Sequence, residues 1–107
     1  MRVGIVGGLD RNEGSYERLA QSLGHEVEHH TGVMRGTAGA ELETLVKRAD
    51  LVVILTDVNS HAAVKMTRKL LSVHRRPSVL MRRLGPSRFT ALLREHNAST
   101  GEEQFSR

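Results

Sequence analysis

The chain has 107 residues, enough for one small domain with a single core, and it contains no cysteine. The missing thiols exclude a disulfide framework, a thiolate metal site and a cysteine nucleophile, and they suit a cytoplasmic setting. Sixteen basic and twelve acidic residues give a net charge of +4 with histidines neutral, concentrated at Arg75–Arg76 and Arg82–Arg88, and basic loops of this kind suit an anionic ligand or a nucleic acid.

Arg2 to Val6 reads as a short buried strand, rich in β-branched Val3, Ile5 and Val6. A glycine loop follows, Gly7 to Asn12. Tyr16, Leu19, Ala20 and Leu23 recur at helical spacing, which predicts a helix over 14–23 that Gly24 stops. His25 to His30 alternates, as a half-exposed strand near a sheet edge does. Thr31 to Gly39 is a glycine-bearing loop, and Glu41 to Ala49 a second helix that turns Leu42, Leu45 and Val46 inward.

Asp50 to Leu55 is continuously apolar, the pattern of a strand covered on both faces. The turn Thr56-Asp57-Val58-Asn59-Ser60-His61 then leads into a helix over 62–73, whose opposite face carries Lys65, Arg68 and Lys69. A fourth strand over 77–81 and a last helix over 87–95 complete the pattern. Residues 1–96 form a single domain in this reading, and 97–107, polar and small, form a disordered tail. No apolar segment approaches membrane-spanning length, so no membrane partner is expected.

Strictly alternating strands and helices predict an α/β fold: a small parallel sheet of four strands in the order 2-1-3-4, flavodoxin-like or Rossmann-like. Ligands of such sheets sit at the carboxyl ends of the strands, where the strand order reverses. That rule collects Gly8, Arg11, Asn59, Ser60 and Arg82 at one edge as candidate ligand-binding residues, and His29, His30 and His61 as candidate metal ligands. His25, His74 and His96 stand beside charged residues at element ends and read as surface. The glycine loop is neither G-x-G-x-x-G nor a P-loop, so a dinucleotide or nucleoside triphosphate is not expected. Asp57, Ser60 and His61 supply triad residue types within one turn, a spacing that does not align base and nucleophile. The chain therefore reads as a binding module and no catalytic residue is assigned.

Four stretches carry a family resemblance: Ile5-Val6-Gly7-Gly8 with Asp10-Arg11, Gly24 to His30, Ala49 to Val53, and Thr56 to His61. Together they resemble the bacterial family catalogued as domain of unknown function 2325, over roughly residues 2–90. The resemblance implies a small α/β domain that binds haem through histidine. On that implication Val33, Met34, Val58 and Leu84 are candidates for the apolar wall. Arg11, Arg35, Arg82 or Arg83 would meet the propionates. A small core and two open strand edges also suggest a homodimer. The alternative expectation is an anion-binding or nucleic-acid-associated regulatory domain without metal.

Overall fold

A computed structural model describes the backbone of residues 1–105 and the side chains of residues 1–96 other than Asp10. Four strands, β1 (Arg2–Val6), β2 (Glu26–His30), β3 (Leu51–Leu55) and β4 (Ser78–Met81), form one parallel sheet in the order β2-β1-β3-β4. The helices are α1 (Glu13–Ser22), α2 (Ala38–Arg48), α3 (His61–His74) and α4 (Pro86–Phe105), with a single 3-10 turn at Asp10–Asn12. The sheet order and the α/β class are those the hydrophobic patterning predicts. The expected disordered tail over 97–107 falls on residues whose side chains, and for 106–107 the backbone also, lie outside the described set.

The pleat divides the core in two. Val3, Ile5, Leu51, Val53 and Leu55 face α1 and α4, where they meet Tyr16, Ala20, Phe89 and Leu93. Val6, Val52 and Ile54 face α2 and α3, where they meet Leu42, Leu45, Val46 and Leu70. All five residues of β3 are buried, as a central strand covered on both faces requires. Each Val or Ile sealed in this way contributes about 1.5–3 kcal/mol relative to exposure.

Local chemistry fixes where α3 begins and ends. The Ser60 hydroxyl accepts from the Ala63 amide at 3.1 Å, satisfying one orphan donor of the first turn. At the far end Arg75 adopts a left-handed conformation (φ 53°) and its amide closes on the Leu71 carbonyl. Helix α2 begins at Ala38, three residues before the sequence expectation, because the Gly39-Ala40 pair continues the turn that Thr37 opens.

One histidine departs from its reading. His25 is not on the surface: it is 7% exposed, and its Nδ1 lies 2.9 Å from the Met1 amino group. It stands where the chain turns from α1 into β2, tucked beneath the start of β1, a placement that strand pairing decides and local polarity does not reveal. Burial, followed by the neighbouring amino-terminal charge, pushes its pKa below the ordinary histidine value.

Candidate functional site

The carboxyl edge of the sheet splits into a closed side and an open side. On the closed side, backbone and side chains tie β1, β2 and β3 together. The Gly7 amide donates to the His30 carbonyl at 2.7 Å and the Gly8 amide to the Val58 carbonyl at 2.6 Å. Asn59 Nδ2 donates to the carbonyls of Val6 (3.2 Å) and Leu55 (2.8 Å), while its Oδ1 accepts from the Ser60 amide. The Ser60 hydroxyl donates to the Gly32 carbonyl at 2.7 Å. These bonds satisfy strand-end carbonyls that a parallel sheet leaves without a partner. Gly7 and Gly32 take positive φ (103° and 92°), and a Cβ at Gly7 would lie 2.6 Å from the Leu55 carbonyl oxygen.

The open side is a cleft of about 540 Å³ between the β1, β3 and β4 ends. Tyr16, Leu55 and Leu84 give it an apolar floor, Gly8, Leu9 and Asn12 one wall, and Asp57, Val58, Arg82 and Arg83 the other. Tyr16 is fixed on three sides: its hydroxyl donates to the Leu84 carbonyl at 3.0 Å, and its ring meets His29 and Phe89 edge-on, with centroids 5.7 and 5.6 Å apart. Burial raises the Tyr16 pKa, so the phenol stays protonated as that bond requires. Asp57 receives both arginines, Oδ1 from Arg82 Nε and Oδ2 from Arg83 Nε, each at 3.2 Å. Both guanidinium side chains are about four-fifths exposed, so the two pairs orient the arginines without adding much stability.

The residues expected from sequence distribute unequally over this geometry. Gly8 and Arg82 line the cleft. Arg11 is exposed on the 3-10 turn next to the lining residue Asn12. Asn59 and Ser60 belong to the closed side, with their polar atoms committed to backbone. His29 and His30 pair with Ile5 and Val6 and so point to opposite faces of the sheet. His29 stands behind the cleft, its Nε2 2.6 Å from the Gly7 carbonyl, which can only accept, so that nitrogen carries the proton. Its Nδ1 is buried without a hydrogen-bond partner. His30 accepts from the Gly32 amide through Nδ1 and lines a groove against α2 with Glu28, Glu41 and Thr44. His61 is exposed as the first residue of α3. Among the described residues, no three His, Asp or Glu side chains converge as a metal-binding group.

Sequence reasoning missed Tyr16 as a cleft residue. Its helical spacing marked it as inward-facing, but the neighbour it meets, the Leu84 carbonyl, is 68 positions away. The adjacent Asp57 and Arg82-Arg83 were legible as polar groups at strand ends, but their mutual pairing was not.

Fold and site together define a small parallel α/β domain with an open cleft at the carboxyl ends of its strands. Its architecture is similar to that of a CheY-like response regulator receiver domain protein from Methanospirillum hungatei JF-1 (TM-score 0.52, 15% identity, covering 99% of this chain and 98% of that one), a likeness of fold. The chain belongs to the family described as an uncharacterized protein conserved in bacteria, DUF2325, whose model matches residues 2–96. UPF0751 proteins from Desulfitobacterium hafniense strains DSM 10664 / DCB-2 and Y51 are each 34% identical to it over 70 residues, covering 64% of this chain and 69% of theirs. No described helix is long and apolar enough to cross a membrane.

Proposed function

We propose that this domain is a small-ligand-binding module whose site is the open cleft, and that its ligand is an anion with an apolar body. The observation that carries the reading is the arginine pair held by Asp57 above a floor of Tyr16, Leu55 and Leu84. A carboxylate or phosphate group would take over the two guanidiniums from Asp57, replacing one exposed ion pair by another with more oxygens to share. The apolar part of the ligand would rest on the floor, and about 540 Å³ falls within the usual size of small-molecule sites. The lining holds no nucleophile beside a base, so the chemistry it supports is binding.

The probe that tests this is anilinonaphthalene sulfonate, an aromatic body bearing one anionic group. One saturable site is expected on the folded chain, and Arg82→Glu/Arg83→Glu should weaken it at least tenfold with the far-UV spectrum unchanged. Equal binding by that variant overturns the assignment.

A second reading keeps haem as the ligand, since haem is also an apolar plate with anionic arms. His29 and His30 do not fit as iron ligands in their present bonding: the unprotonated Nδ1 of His29 is buried, and that of His30 already accepts from the Gly32 amide. His61 is the candidate that fits: its ring is exposed and makes no hydrogen bond among the described residues. Haem titration should then give a stoichiometric absorption change that His61→Ala removes and His29→Ala retains. The finer expectations of a cytoplasmic setting and a homodimer stand beside these readings. The β2 edge is the one better suited to a second copy. Antiparallel β4–β4 pairing would set Arg75–Arg76 of one chain against Arg82–Arg83 of the other. Sedimentation at micromolar concentration checks the dimer.

A further inference from the structure

Charge along this chain is segregated. From Val58 to Arg94 there are nine lysines and arginines and no aspartate or glutamate, whereas residues 1–57 carry nine carboxylates and six cations. The topology converts that division in sequence into a division in space. β4 is an edge strand, and the two helices of the same segment lie on opposite faces of the sheet, α3 beside α2 and α4 beside α1. α3 packs Leu70 and Leu71 on the Ile54 face, and α4 packs Phe89 and Leu93 on the face to which Val79 and Met81 belong.

All nine cations are exposed. Lys65, Arg68 and Lys69 form the outer face of α3. Arg75 and Arg76 stand at the amino end of β4, Arg82 and Arg83 at its carboxyl end. Arg88 and Arg94 lie on α4. Arg82 and Arg83 pair with Asp57, and the other seven make no ion pair among the described residues. Seven cations without an ion pair among the described residues, on α3, α4 and the amino end of the edge strand β4, create a positive potential that draws a polyanion.

We propose that this edge is a docking face for double-helical nucleic acid, held through the phosphate backbone and without base readout. The spacing favours a long regular polyanion. Arg76 and Arg82 lie six positions apart across β4, about 20 Å at about 3.3 Å per residue. That distance matches roughly six base pairs at 3.4 Å each. The described aromatic rings, Tyr16 and Phe89, are buried, which removes the stacking platforms that single strands use. The exposed apolar residues of this region, Val73 and Leu80, stand on different elements and do not form the continuous apolar stripe of a membrane-surface helix. The face meets the ligand cleft only at Arg82 and Arg83, and the α3 cations lie outside it.

Fluorescence anisotropy of a labelled 20-base-pair duplex, titrated with the full chain between 50 and 200 mM salt, tests the proposal. With about five phosphates engaged, log affinity should fall against log salt with a slope of about −4.5. Arg68→Glu/Lys69→Glu should weaken binding at least tenfold at 50 mM and reduce the slope by about two. Arg18→Glu, on α1, which packs against β2 at the other edge of the sheet, should change neither. Circular dichroism verifies that the variants fold, and Arg68→Ala/Lys69→Ala replaces the reversal if it does not. Absence of saturable binding at 50 mM overturns the proposal, and so does a slope shallower than −1 or wild-type affinity in the α3 variant. Tighter binding to polyglutamate or to anionic lipid vesicles than to the duplex also overturns it.

Discussion

Two sets of polar residues share the carboxyl edge of this sheet, with Asp57 of one only two positions from Asn59 of the other, and they do different work. Asn59 and Ser60 give their hydrogen bonds to the carbonyls of Val6, Leu55 and Gly32, and so close the β1–β3 junction. Asp57, Arg82 and Arg83 spend theirs on one another in solvent and leave a cleft open beneath them. A polar side chain at a strand end is therefore not a ligand group by position alone. What its donors and acceptors already satisfy decides the matter.

The closed side should be intolerant of change. Gly7→Ala forces a side chain against the Leu55 carbonyl at positive φ, and should cost on the order of 3 kcal/mol in urea unfolding, the sum of strain and clash. A variant within about 0.5 kcal/mol of wild type, the range of ordinary surface substitutions, would show that the junction relaxes freely. Asn59→Ala removes the donor to two carbonyls, and about 2 kcal/mol of destabilisation is expected by the same measurement. Tyr16→Phe lies between the two regions. Loss of the bond to the Leu84 carbonyl should cost about 1 kcal/mol and also weaken probe binding in the cleft, since that bond holds the cleft floor to the β4–α4 loop.

A smaller effect should come from pH. His25 has a folded pKa below its unfolded value, so the unfolded chain takes up the proton first as pH falls. The stability it contributes is complete above the unfolded value and declines as pH drops from there toward the folded one. Melting temperature measured through that window should fall for the wild type and fall less for His25→Gln. The open side should respond least in stability: Arg82→Glu/Arg83→Glu is expected to stay within about 0.5 kcal/mol, because both side chains are largely in water. A large loss there would mean that the arginines belong to the structural junction and not to the site.

Much of the architecture was legible because it rests on local periodicity. The unbroken apolar run Leu51–Leu55 and the one-sided spacing of Leu42, Leu45 and Val46 each admit one burial pattern. Sequence also located the edge where Gly8, Arg82, Asn59 and Ser60 gather. It did not separate Gly8 and Arg82, which line the cleft, from Asn59 and Ser60, which hold backbone. Nor did it place His25, whose polar flanks suggested surface while the start of β1 covers it.

By itself, then, the sequence determined the element order, the parallel sheet and the concentration of cations in residues 58–94, because hydrophobic period and charge are properties of neighbours along the chain. Tertiary structure alone decided which polar groups remain available. Asn59 meets the Val6 carbonyl across 53 positions, and Asp57 meets Arg82 across 25. Hydrogen-bond satisfaction depends on partners brought close only by the crossovers, and no spacing rule within a single segment carries that information.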